Sequence, residues 1–374
     1  WYKAKTIKET STVSKKILFA GGGTAGHVEP ALAVASLLSS KQPEWNLIFV
    51  GTKSGLENQL VPNAGFQLVQ IPKVLMPRKL TPAVLFLPFK LIYASIKSLR
   101  ICKGADLIIG FGGYACPPIY LAAAILRRPI FIHEANAIAG WANRLGAPFS
   151  KMIFIAFARA ARRPGKWRNA KVTGMPIRSD ILTQQSSSES ERLKIKTRQL
   201  EKWNLSLAKP TILVFGGSQG SRHINEAILQ TLSFFTEKGV QIVHSVGKNN
   251  PLPPITENYL PLSYIDDMAS AYQACDLVIA RSGALTCAEL AIVGKFAILI
   301  PLAIGNGEQS ANAEDLQQAG AAQLVADSKF NADWLISNWE DLWLKSRKFK
   351  SDLNQEILAS EVIVKSIMDE VVKK

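Results

Sequence analysis

Short apolar runs alternate with longer helical segments along most of the chain. The first run, residues 17–20, ends in a glycine-rich turn, and the helical pattern of residues 30–39 follows it. Strands that alternate with helices form a parallel sheet, and ligands bind at the carboxyl ends of its strands. The pattern predicts an α/β fold with its functional residues in the turns after the strands. Further strands are predicted at residues 47–50, 107–110, 130–132, 211–215, 242–245, 277–280 and 297–301.

The order of strand, glycine turn and helix occurs twice, first from residue 17 and again from residue 211. Between the two, residues 183–209 form a serine-rich polar stretch and then a charged helical segment, which is typical of a domain boundary. We therefore expect two similar domains that face one another across a cleft. The predicted divisions are a tail at 1–15, a first domain at 16–180, a linker at 181–209, a second domain at 210–350 and a C-terminal helix at 351–374 that can pack back on the first domain.

The positive charge of the chain is concentrated in its first half. The 374 residues contain 44 Lys and Arg against 29 Asp and Glu, a net charge of +15. Residues 1–180 hold 25 of these cations and 7 of the acids, so we expect an anionic partner there. The chain has no RNA-binding signature, no zinc-ligand spacing and no cations interleaved with exposed aromatics. These features favour an anionic membrane surface over nucleic acid.

Residues 74–103 have the composition of a membrane-docking segment, with six cations and no acid among apolar side chains. An apolar patch with a basic rim can enter the headgroup region while its cations bind anionic lipid. The alternative is that the apolar side chains belong to the core and the cations form a solvated face. The apolar residues are Leu75, Leu80, Leu85, Phe86, Phe89 and Ile92, and the cations are Arg78, Lys79, Lys90, Lys97, Arg100 and Lys103.

Three further features bear on the compartment. No apolar stretch reaches the ~20 residues that a membrane-spanning helix needs. The sequence does not begin with Met, and residues 1–16 fit either a tail or the remnant of a targeting segment. The four cysteines form no CxxC pair and are expected to be reduced and mostly buried thiols. They are Cys102, Cys116, Cys275 and Cys287.

The first glycine turn has the spacing Gly21-x-Gly23-x-x-Gly26, which is found in dinucleotide-binding folds. The next strand ends in Gly51-Thr52, however, without the carboxylate that would hold a ribose. We therefore expect a turn whose backbone a substrate approaches at a helix N-terminus, or else a tight turn without a ligand. His27 follows this turn, and a histidine there can accept a proton from a hydroxyl or can simply be a structural hydrogen-bonding residue.

The second half contains two candidate phosphate sites. Residues 216–221 and 280–289 each follow a predicted strand and open a helix, so that N–H groups and hydroxyls face the phosphate charge. Glu289 can accept both hydroxyls of a ribose, or it can form a capping box with Thr286 as the N-cap. Polar residues 308–312 can contact a sugar or can simply begin a polar helix. The pair Asp266-Asp267 lacks the Asp-x-Asp spacing of metal-dependent sugar transferases, so no metal and no cofactor is expected.

Seven segments, in order and at similar spacing, make the chain resemble the MurG family of GT-B glycosyltransferases, family 28. The resemblance implies two Rossmann-like parallel-sheet domains that face one another across a cleft. It departs from the usual family pattern at Ala25, where a glycine is common, and at Met175, where an asparagine is common. The segments are GGGTAGHVEPALAVA, GFGGYACPPIYLAA, HEANAIAGWANRL, VTGMPIR, VFGGSQGSRHIN, YIDDMASAYQACDLVIARSGALTCAEL and EQSANAEDL.

The resemblance also implies site residues. His27 or Glu134 would be the catalytic base, Arg178 would lie near the diphosphate, and Ile265 would contact uracil through its backbone. The other implied substrate-binding residues are Thr24, Ala25, Gly26, Asn136, Ser218, Ala284, Leu285, Thr286, Cys287, Ala288, Glu289 and Gln309.

The implied reaction is an inverting transfer of N-acetylglucosamine from UDP-N-acetylglucosamine to the 4-hydroxyl of the muramyl sugar of lipid I, which gives lipid II for peptidoglycan. The implied enzyme is a hexosyltransferase that acts in cell-wall synthesis, cell shape and cell division. The resemblance also implies a peripheral protein on the cytoplasmic face of the inner membrane, with other cell-wall synthesis proteins among its partners. The alternatives are a galactosyltransferase that acts on diacylglycerol, a UDP-sugar epimerase of the same fold, and an inactive scaffold protein.

Overall fold

The computed structural model describes residues 14–74, 85–303, 307–349 and 359–373. Within them the strands form two parallel sheets covered by helices. The strands are β1 Lys16–Ala20, β2 Asn46–Thr52, β3 Gln67–Ile71, β4 Leu107–Gly110, β5 Ile130–Glu134, β6 Met152–Ile155, β7 Lys171–Val172, β8 Thr211–Phe215, β9 Gln241–Ser245, β10 Tyr259–Leu262, β11 Leu277–Ala280, β12 Ala297–Leu299 and β13 Ala322–Leu324. The helices are α1 Ala25–Lys41, α2 Glu57–Asn63, α3 Leu87–Cys102, α4 Cys116–Ile125, α5 Trp141–Gly146, α6 Ser179–Ser186, α7 Glu189–Lys202, α8 Arg222–Gln230, α9 Leu232–Glu237, α10 Met268–Ala274, α11 Ala284–Val293, α12 Glu308–Gln318, α13 Ala332–Lys348 and α14 Ala359–Val372.

The first sheet has the order β3-β2-β1-β4-β5-β6-β7, and we call it and the helices that cover it the first lobe. Its central strand β1 is a continuous apolar run because both of its faces are covered. Leu18 packs on one face with residues of α4, and Phe19 packs on the other with residues of α1 and α14. This alternation follows from the two-residue period of side chains along a strand.

The second sheet has the order β10-β9-β8-β11-β12-β13 and, with its helices, forms the second lobe. Its central strand β8 repeats the arrangement: Leu213 packs with α10 and α11, and Val214 packs with α8 and α13. In both sheets the first strands are added on one side of the central strand. The chain then crosses back, and the later strands, from β4 or β11 onward, are added on its other side. The predicted α/β fold with two parallel-sheet units is therefore confirmed.

Two parts of the chain connect the lobes. Residues predicted as a linker form α6 and α7, which pack against α10 of the second lobe, and α7 begins with a capping box of Ser188 and Glu191. The last helix, α14, packs against α1 of the first lobe and carries two acids that pair with Lys41 and Lys151. Helix α14 thus packs on the lobe that contains β1.

Side chains also cross between the lobes. Asn312 of α12 accepts a hydrogen bond from the Ala137 N–H at 2.8 Å and donates to Asn136 at 3.3 Å. Elsewhere along the interface Lys248 donates to Gln59 at 2.8 Å. These contacts bring the carboxyl ends of the two sheets toward each other, and the candidate site lies there.

Candidate functional site

Each sheet has a topological switch point, where ligands of open α/β folds bind. In the first lobe it lies between β1 and β4, and in the second lobe it lies between β8 and β11. The glycine-rich turns singled out in the sequence follow these four strands. The structure therefore brings the predicted motifs of both lobes to the cleft.

The first turn ends at Thr24, which is the exposed N-cap of α1, and Ala25 and Gly26 form the first residues of that helix. His27 follows them and is half-buried, with its Nδ1 3.2 Å from the Thr24 hydroxyl. Burial lowers the pKa of His27, and this effect exceeds the opposing ones of the Gly22 backbone and the Glu57 charge. The imidazole is therefore neutral at neutral pH and can accept a proton.

Glu134, the other candidate base, ends β5 and is almost fully buried. One of its oxygens accepts from the N–H and the side chain of Asn136, and the other accepts from the Gly140 N–H and the Asn143 amide. Burial raises the pKa of Glu134, although these hydrogen bonds oppose the shift. The chain's own donors thus engage both oxygens of Glu134, and these hydrogen bonds shape the turn that carries Asn136.

Arg178 lies just before α6, between the lobes. Its guanidinium is 3.9 Å from Glu29 of α1 and 3.8 Å from Asp180. Burial lowers the pKa of Arg178, but the charges of Glu29, Glu289 and Asp180 together outweigh burial and raise it. The buried Nε of Arg178 makes no hydrogen bond within the described part of the chain. A cation with an unused donor suits a phosphate oxygen.

The second glycine turn leads into α8. Ser218 is half-buried within the turn, and Ser221 is the N-cap, whose hydroxyl accepts from the Ile224 N–H. The same hydroxyl accepts a hydrogen bond from buried Arg281 at 2.8 Å. Arg281 lies just before α11 and pairs with Asp327 at 2.5 Å, so it joins the starts of the two helices that were predicted to face phosphate.

Glu289 lies in the second turn of α11, buried and hydrogen-bonded by the Tyr272 hydroxyl at 2.9 Å. Burial raises the pKa of Glu289 to about 7, against the attraction of Arg178 and the hydrogen bond from Tyr272. The capping-box alternative is wrong because the N-cap of α11 is Gly283, which places Thr286 inside the helix. A buried carboxylate with one oxygen held by Tyr272 retains acceptor capacity for ribose hydroxyls.

Helix α11 provides the rest of the implied phosphate and ribose site. Its N-terminus has no side-chain cap, so its first N–H groups are available to an anion. Just before it, the buried Ser282 hydroxyl makes no hydrogen bond to any described residue. The implied contact residues occupy the first turns: Ala284 and Cys287 are buried, and Leu285, Thr286 and Ala288 are half-buried.

Ile265 and Gln309 are the remaining implied contact residues of the second lobe. Ile265 is buried in the loop between β10 and α10, and the neighbouring Asp267 caps α10 through its carboxylate. Gln309 is the second residue of α12 and accepts a hydrogen bond from the Leu302 N–H at 2.9 Å.

Three residues that organise the site were given no role in the sequence analysis: Glu57 beneath the first turn, Arg281 beneath the second and Tyr272 behind Glu289. Asn312 belonged to the polar stretch that was expected to contact a sugar, but its contact between the lobes was not foreseen. The signals were present for Glu57, since glycines at 22, 51 and 55 leave room for one large side chain. Contacts that span more than a hundred residues, such as that of Asn312, leave no local pattern.

The described residues contain neither a metal-binding cluster nor a membrane-spanning helix. No three His, Cys, Asp or Glu side chains among them cluster closely enough to hold a metal ion. No helix within 14–74, 85–303, 307–349 and 359–373 is both long and apolar enough to cross a membrane. The four cysteines are free and buried, as predicted.

The segment predicted to dock on a membrane includes α3. Leu85, Phe86, Phe89 and Ile92 are all more than half exposed, so the alternative that they belong to the core is wrong. The buried face of α3 consists of the small residues Ala94, Ser95, Ser98 and Cys102. The remaining predicted docking residues Leu75, Arg78, Lys79 and Leu80 lie outside the described residues.

Comparison with known proteins identifies the family. The model of the glycosyltransferase family 28 N-terminal domain matches residues 17–155, and that of the C-terminal domain matches residues 211–371. A Thermobifida fusca protein named UDP-N-acetylglucosamine--N-acetylmuramyl-(pentapeptide) pyrophosphoryl-undecaprenol N-acetylglucosamine transferase is 43% identical over 86% of this chain and 83% of its own length. A Corynebacterium diphtheriae protein of the same name is 44% identical over 85% of each chain.

The solved structures agree. MurG of Acinetobacter baumannii superposes with a TM-score of 0.69 at 28% identity, over 95% of this chain and 99% of the other. The glycosyltransferase of kitacinnamycin superposes at 0.68 with 14% identity, over 96% and 100%, and shares the fold alone. With both family models matched and relatives above 40% identity along most of its length, the chain belongs to glycosyltransferase family 28, among its MurG proteins.

Proposed function

We propose that this chain transfers N-acetylglucosamine from UDP-N-acetylglucosamine to the 4-hydroxyl of the muramyl sugar of lipid I, with inversion at the anomeric carbon, and so makes lipid II. The observation that carries the proposal is the identity of more than 40% to relatives named for this transfer. The two lobes add a matching set of groups, since a neutral histidine follows the glycine turn of the first lobe, and the second lobe has two helix N-termini and a buried carboxylate.

The second lobe holds the donor. Glu289 accepts the ribose hydroxyls, and the backbone at Ile265 contacts uracil. The diphosphate lies at the N-termini of α8 and α11, near Ser218 and the residues from Ala284 to Ala288, where aligned N–H groups stabilise anions. Gln309 contacts the sugar from α12, and Asn136 contacts it from the first lobe.

The first lobe holds the acceptor. Its hydroxyl attacks the anomeric carbon on the face opposite UDP, and His27 accepts the proton that the hydroxyl loses. The bond between the anomeric carbon and the diphosphate oxygen breaks as the new glycosidic bond forms, so the negative charge grows on the diphosphate. The helix N-termini and Arg178 stabilise that charge because they are fixed before the reaction begins.

Docking on the cytoplasmic face of an anionic membrane brings the lipid acceptor to the cleft. Support comes from the outer face of α3, where Phe86, Phe89, Tyr93 and Ile96 are exposed beside exposed Lys90, Lys97 and Arg100. Exposed apolar patches rimmed by cations are typical of interfacial binding.

The docking proposal is tested by reversing charge on α3. Lys90→Glu with Lys97→Glu should weaken binding to vesicles that contain anionic lipid by about tenfold or more, since each cation contributes about 1 kcal/mol. Transfer to a membrane-embedded acceptor should slow, and transfer to a short-chain soluble acceptor should not. The matched control is Lys194→Glu with Lys202→Glu, which reverses two exposed charges on α7 of the second lobe. Equal loss in both pairs would place the docking surface elsewhere.

The transfer itself is tested with a panel of donors and acceptors. Radiolabelled UDP-N-acetylglucosamine and UDP-galactose are each offered with a lipid I analogue, with diacylglycerol and without acceptor. We expect a lipid-soluble labelled product from UDP-N-acetylglucosamine with the lipid I analogue. Product from UDP-galactose with diacylglycerol, epimerised donor without acceptor, or no turnover in any mixture would each contradict the proposal.

A further inference from the structure

A carboxylate lies beneath the first glycine turn. Glu57 is the first residue of α2 and is only 1% exposed. Its Oε2 accepts the Gly23 N–H at 2.7 Å, and its Oε1 accepts the N–H and the hydroxyl of Thr52 at 2.9 and 3.0 Å. The side chain therefore ties the end of β2 to the turn that follows β1.

Three glycines make room for this carboxylate: Gly22 in the first turn, Gly51 near the end of β2 and Gly55 just before α2. A Cβ at Gly22 would lie 2.5 Å from Glu57 Oε1, one at Gly51 would lie 2.5 Å from its Cγ, and one at Gly55 would lie 2.0 Å from Oε2. A larger residue at any of the three would displace the side chain. A buried carboxylate is costly unless hydrogen bonds satisfy it, and here three donors do so.

The peptide group between Gly22 and Gly23 connects Glu57 to His27. Its N–H donates to Glu57, and the next residue, Thr24, has its hydroxyl 3.2 Å from the His27 ring. Burial lowers the pKa of His27, while the Gly22 backbone and the charge of Glu57 oppose this shift. The contacts of the turn on both of its sides therefore orient the ring.

Other contacts confine the ring to one orientation. Thr24 Oγ1 lies 3.2 Å from its Nδ1, and a Cβ at Gly112 would lie 3.0 Å from its Cδ2. On the other side of the turn, a Cβ at Gly113 would lie 2.3 Å from the Gly22 carbonyl oxygen. The turn that carries His27 is thus held between the carboxylate on one side and the turn after β4 on the other.

We propose that Glu57 is a positioning residue for glycosyl transfer, whose carboxylate fixes the Gly22–Gly23 peptide and through it the orientation of the His27 ring. The inference rests on the proposed function, in which His27 takes the proton of the acceptor hydroxyl. Glu57 itself lies beneath the turn and acts only through that peptide.

The principal test is Glu57→Gln, which keeps the size of the side chain but removes the charge and turns one acceptor oxygen into a donor facing a backbone N–H. We expect kcat to fall by about tenfold or more, with the KM values of donor and acceptor nearly unchanged, because the loss falls on proton transfer. The ¹⁵N signals of the His27 ring in the free protein should change, since the ring loses its fixed tautomer. Glu57→Asp keeps the charge and should recover part of both. The control is Glu44→Gln, the same change at an exposed site of the first lobe.

Thr52→Val distinguishes positioning from simple stabilisation. It removes one donor to Glu57 Oε1 and leaves the bond to Gly23 intact. If Glu57 only stabilised the lobe, Thr52→Val and Glu57→Gln would lower Tm and kcat in parallel. A positioning role predicts that Thr52→Val lowers Tm with little effect on kcat.

The inference would be overturned if the His27 ring signals of Glu57→Gln matched those of the wild type and its kcat stayed within about twofold of the wild-type value. If Glu57→Gln does not fold, Glu57→Asp decides by the same two readouts. If the wild type and Glu44→Gln make no product at all, the proposed function has failed, and the ring signals still decide whether Glu57 orients His27.

Discussion

In the first lobe the turn between β1 and α1 lies over the carboxylate of Glu57, whereas in the second lobe the turn between β8 and α8 lies beside the guanidinium of Arg281. The backbone is alike in the two, with a buried central strand, a glycine turn and a helix. The Gly23 N–H of the first turn is taken by Glu57, and the Ser221 side chain of the second is held by Arg281. The two turns therefore differ in the sign of the charge buried beneath them.

This difference indicates how one architecture serves two substrates. Helix N-termini attract anions in both lobes, so the backbone alone does not determine where a diphosphate binds. Arg281 strengthens that attraction in the second lobe, and Glu57 opposes it in the first. The negative charge beneath the first turn also favours proton uptake by His27, which is what the acceptor side requires.

The first lobe, which has buried carboxylates at the cleft, carries positive charge on its outer surface. Residues 1–180 contain 25 Lys and Arg and only 7 acids, yet three of those acids, Glu29, Glu57 and Glu134, are buried at the cleft. The exposed cations of α3 face outward. The exposed cations thus fit the proposed membrane partner, and the buried acids fit the proposed proton transfer. Because the two turns have different buried groups, changes at each of them should have separable kinetic effects.

The largest effect is expected from His27→Ala, which removes the proton acceptor of the first turn. Turnover should fall by about a hundredfold or more, the lower end of what general bases contribute, while donor KM changes little. The burial that lowers the pKa of His27 predicts that the acid limb of the kcat profile lies below the ordinary histidine value.

The measurement is steady-state kinetics with a soluble acceptor, with circular dichroism to verify folding. Near-normal turnover in the folded variant would move the base to Glu134. In that case Glu134→Gln, not His27→Ala, should abolish the acid limb.

The sequence predicted the sheets well because their strands are buried on both sides. All eight predicted strands are present, including the central β1 and β8, whose continuous apolar runs are distinctive. Those missed lie at or near the sheet edges or have weak patterns. β7 consists of two exposed residues, β13 has only three residues in all, and β10 contains Pro261.

The site was predicted where it lies in a turn and missed where it depends on tertiary contacts. The glycine spacing pointed to His27, and the turn after β11 pointed to Glu289. No carboxylate stands at the end of β2, as noted from the sequence. It was not foreseen that Glu57, five residues farther on, turns its side chain back beneath Gly51. Arg281 was inside a quoted motif, yet its partner Asp327 is 46 residues away and could not be inferred.

The second-largest effect after that of His27→Ala is expected from a change at Glu289, and it should appear in donor binding. Glu289→Ala should raise donor KM by at least about tenfold, since charge-assisted hydrogen bonds contribute about 1.5–3 kcal/mol each. Unlike His27→Ala, it should leave kcat at saturating donor within a few fold. An unchanged KM in a folded variant would contradict the ribose role.

The pKa of Glu289 gives this prediction a pH dependence with a definite sign. Because burial raises that pKa to about 7, the carboxylate is charged above pH 7 and protonated below it. The charged form binds the ribose hydroxyls, so donor KM should be about tenfold higher at pH 6 than at pH 8. Glu289→Gln should remove this dependence. A donor KM that rises with pH would contradict it.

The smallest effect is expected from Arg281→Met, which removes the guanidinium beneath the second turn. Donor KM should rise by roughly tenfold and kcat should change less, because the starts of α8 and α11 lose the side chain that joins them. Asp327 then lacks its cation, and a partly buried unpaired charge is destabilising, so Tm should fall as well. Adding Asp327→Asn should restore much of the Tm but not the donor KM, which separates the stability of the lobe from the field at the diphosphate. The matched control is Arg222→Met, which removes an exposed cation from the start of the same helix α8. If Arg222→Met raises donor KM as much as Arg281→Met does, the effect comes from net charge alone, and the contrast between the charges buried beneath the two turns does not determine where the diphosphate binds.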